Sequence, residues 1–180
     1  MARPKIRKVC LSAMWLLLAL AGAALALVWY QGQRTPAGRP DFVALGSSYA
    51  AGAGLGPLEP GSPVMCARSI NGYPQQLARL RNLAIVDMTC GGAVTGNVLN
   101  GGQFFQGPQI RTITRETKLV TITVGGNDIA YVGDLSMLAA RNTTTLFGRL
   151  VGLVWKGPKQ PADRDYSGLQ KHLTATLAAI

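Results

Sequence analysis

Residues 43–54 read VALGSSYAAGAG, an apolar run broken by Gly46 and then two serines, Ser47 and Ser48. A serine in a tight turn directly after a buried strand is a frequent nucleophile, and a nucleophilic serine needs a base to take its proton. Two further turns follow apolar runs in the same way: Cys90-Gly91-Gly92-Ala93 after residues 83–88 (LAIVDM), and Gly125-Gly126-Asn127-Asp128 after residues 119–124 (LVTITV). In a parallel α/β sheet, functional residues gather at the carboxyl ends of the strands. Each turn alone signals little more than a chain reversal, whereas three in this order are much more specific.

Other templates fail residue by residue. A phosphate-binding loop needs a lysine after its second glycine, but Gly52 is followed by Ala53. A dinucleotide fingerprint read from Gly52-x-Gly54 needs glycine where Pro57 stands. A G-x-S-x-G elbow needs glycine where Ala50 stands.

The three segments resemble the SGNH, or GDSL-type, hydrolases. FVALGSSYAAG is similar to that family's first block, TCGGAVTGNVL to its second, and LVTITVGGNDIAY to its third, which is the most specific of the three. The resemblance covers residues 41–180. It implies a flavodoxin-like three-layer α/β/α sandwich with a parallel sheet, and ester hydrolysis by serine chemistry. The nucleophile position of the first block falls on Ser48, and Ser47 stands where the family usually has Asp. The resemblance assigns the oxyanion donors to the Ser48 N–H, to a glycine N–H at Gly92 (or Gly91, because the doublet leaves the register open by one), and to the Asn127 side-chain amide. Glycine permits close backbone approach, and an asparagine amide donates without carrying charge.

The family's base is a histidine in an Asp-x-x-His segment. The chain has one histidine, His172, and the residue three before it is Leu169, so that segment is not matched. Helical spacing sets His172 off the apolar stripe of its helix, facing solvent. The expectation is that the catalytic His and Asp lie beyond Ile180 in a longer protein. A non-catalytic acyl- or glycan-binding protein built on the same cleft is the alternative. No metal or organic cofactor is implied.

The elements that would hold these turns follow from periodicity. Strands are expected at 41–45, 83–88 and 119–124, and helices at 73–81, 94–100, 108–114 and 129–141, with Asp128 capping the last of these. Residues 142–163 read as an excursion loop, and 167–180 as an amphipathic helix with Leu169, Leu173, Leu177 and Ile180 on one face. Strands alternating with helices define an α/β class. Asn142-Thr143-Thr144 matches a glycosylation sequon.

Ahead of this domain, residues 9–30 carry no charge, enough for roughly 33 Å of helix against a bilayer core of ~30 Å. Arg3, Lys5, Arg7 and Lys8 precede the run, while Trp29 and Tyr30 close it, which predicts a cytoplasmic N-terminus and an extracytoplasmic domain. The organisation is then a basic tail at 1–8, a signal-anchor at 9–30, a linker at 31–40 and the hydrolase domain at 41–180. Ala24-Leu25-Ala26 would serve as a cleavage site if the segment is instead a removed signal, giving a secreted protein. Cys10 precedes the apolar run, which argues against lipid attachment there.

The net charge of +10 is misleading as a nucleic-acid signal, because six basic and no acidic residues lie in 1–40 and the remaining basics are scattered. The expected partners are a small-molecule, lipid or glycan ester and the membrane, and no nucleic acid. Cys66 and Cys90 lie in the exported part, where a disulfide is permitted; two free buried cysteines are the other possibility. No cysteine–histidine cluster has metal-ligand spacing.

Overall fold

The computed structural model describes residues 3–34, 36 and 38–180. Met1 and Ala2 of the basic tail, and Thr35 and Ala37 of the linker, lie outside the described residues. Helix α1 (Arg3–Gln33) exceeds the charge-free run at both ends. Its portion Lys8–Gln33 is long and apolar enough to cross a membrane. Val28 is half-buried and Gly32 buried, one turn apart on the face that meets the domain, while Trp29 and Tyr30 stay exposed.

Strand β1 (Phe42–Gly46) is buried throughout and lies at the centre of the sheet. It is followed by the short helix α2 (Ser48–Ala51), helix α3 (Tyr73–Arg81) and strand β2 (Ile85–Asp87). Helix α4 (Thr95–Asn100) and strand β3 (Leu119–Thr123) come next. Both β2 and β3 pair with β1 in parallel, in the order β2-β1-β3, with Phe42 opposite Ile85 and Leu119, and Gly46 opposite Thr123. Because side chains alternate along a strand, β1 feeds two cores. Phe42 and Ala44 pack with Ala78 of α3, and Val43 and Leu45 pack with Val86, Met88 and Val98 of α4. A sheet apolar on both faces and covered on both faces is the three-layer arrangement of parallel α/β proteins.

Asp41 begins the sheet rather than β1 itself. Its carbonyl accepts from the Lys118 and Leu119 N–H groups, its carboxylate accepts from the Ala84 N–H, and it pairs with Lys118 at 2.7 Å. One residue thus joins the starts of all three strands. The Lys118 hydrogen bond holds the half-buried Asp41 carboxyl below the usual carboxylate range.

Three expectations need correction. Residues 108–114 form only a 3-10 turn, Gln109–Thr112, because Pro108 at the start is extended and Ile113 returns to extended backbone. The expected loop 142–163 contains helix α6 (Leu146–Val154), which follows α5 (Tyr131–Arg141) and packs against it. Its N-cap is Thr145, whose hydroxyl accepts from the Gly148 N–H at 3.1 Å. The last helix, α7 (Tyr166–Ala178), turns inward through Leu169, Leu173 and the fully buried Thr176, whereas Leu177 and Ile180 are exposed. Positions 169, 173 and 176 also share a helical face, so one polar residue rotates the buried stripe by part of a turn.

Arg164 holds the α5–α6 excursion to the chain that re-enters α7. It pairs with Asp134 at 2.7 Å and donates to the carbonyls of Ile129 (2.6 Å) and Lys159 (3.0 Å).

Candidate active site

The turn after β1 is fixed by Gly46. Its φ is +134°, and a side chain there would overlap the Thr123 backbone of the neighbouring strand. Both its polar groups are gripped by one side chain: Gln109 Oε1 accepts from the Gly46 N–H at 2.8 Å, and Gln109 Nε2 donates to the Gly46 carbonyl at 3.1 Å. Gln109 is buried and carries no motif signature, so sequence reasoning missed it.

The two serines diverge. Ser47 is buried, its N–H donates to the Thr123 carbonyl at 2.9 Å, and its hydroxyl contacts the same oxygen at 3.4 Å. Ser48 is half-buried; neither its N–H nor its hydroxyl is hydrogen-bonded among the described residues. The strand pairing therefore consumes Ser47 and leaves Ser48 polar and unengaged.

The second turn shows a similar division. The Gly91 N–H donates to the Cys66 carbonyl at 2.9 Å, while the Gly92 N–H has no acceptor among the described residues. Gly92 is exposed, with φ +83°. Cys66 and Cys90 form a disulfide that pins the preceding residue of this turn, and the Cys90 N–H donates to the Gly46 carbonyl at 3.0 Å. The first and second turns are thus bonded to each other directly. Gln103 Nε2 holds the Gly91 carbonyl at 2.7 Å, and Gln103 Oε1 is a buried oxygen without a partner among the described residues.

Behind this turn sits a charged brace. The buried Arg68 donates through Nε to the Thr89 carbonyl at 2.6 Å, and Thr89 donates from its N–H (2.9 Å) and its hydroxyl (2.6 Å) to Asp87 Oδ1. Burial pushes the Asp87 carboxyl up and the Arg68 guanidinium down. Glu59 nearby is also pushed up, by burial first and by the Asp87 charge second.

Asn127 Nδ2 donates to the Ala93 carbonyl at 2.9 Å, which uses one of its two amide protons and joins the third turn to the second. Asp128 does not cap its own helix. Its carboxylate accepts from the Thr95 N–H (3.1 and 3.2 Å) and from the Thr95 hydroxyl, so it closes the first turn of α4 instead. Helix α5 starts from Ala130 in the left-handed region with no side-chain cap. An acid five residues after a strand end thus serves a helix that comes earlier in the chain, which local capping rules do not foresee.

His172 is exposed on α7, and no imidazole or carboxylate hydrogen-bonds to Ser48 among the described residues. No group of His, Cys, Asp or Glu among the described residues is arranged to hold a metal ion.

The layout is that of a three-layer α/β protein whose polar turns lie at the carboxyl ends of its strands. Residues 44–180 match the GDSL-like Lipase/Acylhydrolase family, and the chain belongs to that family. It is 32% identical to lipase 1 of Streptomyces coelicolor over 74% of this chain and 47% of that protein. A lipase of Streptomyces rimosus is 33% identical over 74% of this chain and 45% of its own length. Among solved structures, a phospholipase A1 from Streptomyces albidoflavus is similar at 34% identity, covering 53% of this chain and 38% of that one, with a TM-score of 0.46. The chain spans less than half the length of each of these proteins.

Proposed function

We propose that the protein is a membrane-tethered, extracytoplasmic serine ester hydrolase acting on acyl esters, with Ser48 as its nucleophile. The observation that carries this reading is the contrast between the two serines: Ser47 is spent on Thr123, and Ser48 keeps both its N–H and its hydroxyl free among the described residues. In the proposed reaction, Ser48 Oγ bonds to the ester carbonyl carbon as a base takes its proton. The carbonyl electrons move onto oxygen, then return as the alcohol leaves with a proton. Water releases the acyl group by the same steps. The oxyanion donors are the Ser48 N–H, the Gly92 N–H and the second Asn127 amide proton. Gly91 is the poorer candidate because its N–H is already given to Cys66. Each donor of this kind is worth about 3–4 kcal/mol of transition-state stabilisation.

The general base is the part that residues 1–180 leave unfilled, since His172 points to solvent. That observation favours the second reading, an acyl- or glycan-binding protein that keeps the cleft without turnover. The apolar run of α1 and the basic residues ahead of it support tethering, and a removed signal segment is the competing account.

The deciding experiment treats the natural protein, isolated from its membrane, with a fluorophosphonate probe and maps the labelled peptide, alongside hydrolysis of p-nitrophenyl acyl esters. Labelling at Ser48 and loss of hydrolysis in Ser48→Ala support the enzyme. Ester hydrolysis that persists in Ser48→Ala removes Ser48 as nucleophile. Absence of both labelling and turnover, with saturable binding of acyl chains, selects the binding protein.

A further inference from the structure

The outer end of α1 is not free of the domain. Gln31 Oε1 accepts from the Val64 N–H at 3.0 Å, and Gln33 Nε2 donates to the Phe105 carbonyl at 3.0 Å. Between them, Gly32 lies so close to the Phe104 carbonyl that any side chain would collide with it. The half-buried Val28, one helical turn toward the apolar segment, extends the docked face to the depth of Trp29 and Tyr30. The two 3-10 turns Val64–Cys66 and Gln103–Phe105 therefore sit beside the last apolar turn of the helix, not above a flexible tether.

These turns expose apolar side chains at that level: Val64 is 56% exposed, Met65 47% and Phe105 46%. Phe104 and Phe105 both hold a positive φ, +48° and +62°. Two consecutive aromatic residues in the left-handed region are unusual and must be held by their surroundings. The Phe104 ring packs on the Cys66–Cys90 pair, and Phe105 projects outward. Two cations flank the patch. Arg34 lies over the Tyr30 ring at 5.7 Å, and the exposed Arg111 donates to the Arg34 carbonyl at 3.5 Å. Apolar groups at the end of a spanning helix, topped by arginines, match the acyl boundary and the phosphate layer of a bilayer.

We propose that the face formed by Val64, Met65 and Phe105 is seated in the interface of the phospholipid bilayer that α1 enters, with Arg34 and Arg111 at the phosphate level. The proposal rests on the reading of α1 as an anchor. It also narrows the substrate class. The same two turns hold the Gly91–Gly92 segment, through the Cys66–Cys90 bond and through Gln103, so the candidate oxyanion loop lies directly behind the lipid-facing surface. An ester resident in that bilayer is the substrate this arrangement serves.

The test uses the full chain carrying Cys10→Ser, reconstituted in phosphatidylcholine–phosphatidylglycerol vesicles. Single nitroxide labels are placed through Leu18→Cys, Met65→Cys, Phe105→Cys and, as a solvent control, Arg81→Cys. Collision with dissolved oxygen and with a water-soluble nickel chelate is read at each site. The expected result is a deep apolar signature at 18, an interfacial signature at 65 and 105 with oxygen favoured severalfold over the control, and an aqueous one at 81. An apolar signature at 18 with aqueous signatures at 65 and 105 overturns the seated face and leaves the anchor standing. Aqueous signatures at 18, 65 and 105 together overturn both.

Discussion

Gln109 closes a two-pronged hydrogen bond on the backbone of Gly46, receiving its N–H at 2.8 Å and donating to its carbonyl at 3.1 Å. The side chain does for the end of β1 what a further strand residue would do, and it leaves the chain free to turn into Ser47 and Ser48. Replacing Gln109 with leucine strands the buried Gly46 N–H, whereas the Gly46 carbonyl keeps its bond from the Cys90 N–H. The expected loss is about 1–3 kcal/mol of stability, read as a lower midpoint in urea. In a catalytically competent protein, kcat falls with little change in KM. The histidine-independent readout is burial at Ser48: amide exchange across residues 46–50 accelerates in Gln109→Leu. Unchanged exchange there would remove Gln109 from the positioning of the turn.

Ser47→Ala and Ser48→Ala separate the two hydroxyls. Ser47 contributes a long contact to Thr123 and keeps its backbone bond when the hydroxyl is removed, so its variant retains hydrolysis within about tenfold and loses no more than ~1 kcal/mol of stability. Ser48→Ala keeps the melting temperature and loses turnover. A dead Ser47→Ala beside an active Ser48→Ala would reverse the assignment of the first turn.

The disulfide predicts a redox-dependent phenotype. Cys66 and Cys90 are separated by 24 residues, a loop whose closure is worth about 3–4 kcal/mol in the chain-entropy model. Cys66→Ala therefore lowers the melting temperature under oxidising conditions and matters far less once the wild type is reduced. Equal effects with and without reductant would show that packing of the sulfur, not the crosslink, is what counts.

The acidic groups behind the second turn set a pH dependence of definite sign. Glu59 and Asp87 have folded-state affinities for protons above those of the unfolded chain. Their contribution to stability is complete below the unfolded value, ordinarily 4.5 for Glu59, and is lost as pH rises through the raised one. Asp41 works in the opposite sense, its contribution falling away only as pH drops below the usual carboxylate range. As pH rises above the ordinary Glu59 value of 4.5, melting temperature should thus decline, and Glu59→Gln should flatten that decline. The Gln75 hydrogen bond to Glu59 Oε1 at 2.7 Å survives the substitution, because a glutamine oxygen accepts equally well. An unaltered slope in Glu59→Gln would assign the effect to Asp87 alone.

Local signals located the frame of the fold well. Apolar runs bounded by Gly and Asn identify β1 and β3 nearly to the residue. Pro74 and Asn82 bracket α3, whose observed span is Tyr73–Arg81. The short run 83–88 shrinks to Ile85–Asp87: the Met88 N–H still donates to the Ala44 carbonyl at 2.9 Å, but Thr89 beyond it turns its N–H to Asp87 in the braced turn. Helix α6 escaped notice because its nine residues, LFGRLVGLV, are few and include two glycines, each about 1 kcal/mol less favourable than alanine in a helix. Within the candidate site, the strand-end turns are legible because glycine, serine and asparagine punctuate apolar runs. Gln109, Arg68 and the Asp128–Thr95 lock are not, since each acts on a partner more than 20 residues away and carries no composition cue.

The covalent ring drawn by Cys66 and Cys90 contains all of α3 and β2 and nothing that comes later in the chain. Its closure asks only for residues that precede Gly91, whereas β3 begins at Leu119. In a polypeptide emerging amino-terminus first, oxidation can therefore fix the second turn against the Val64–Cys66 segment while the third is still unmade. Asn127 then arrives at a second turn already framed, and Gln109 and Thr123 bring the first turn into place in the same late step.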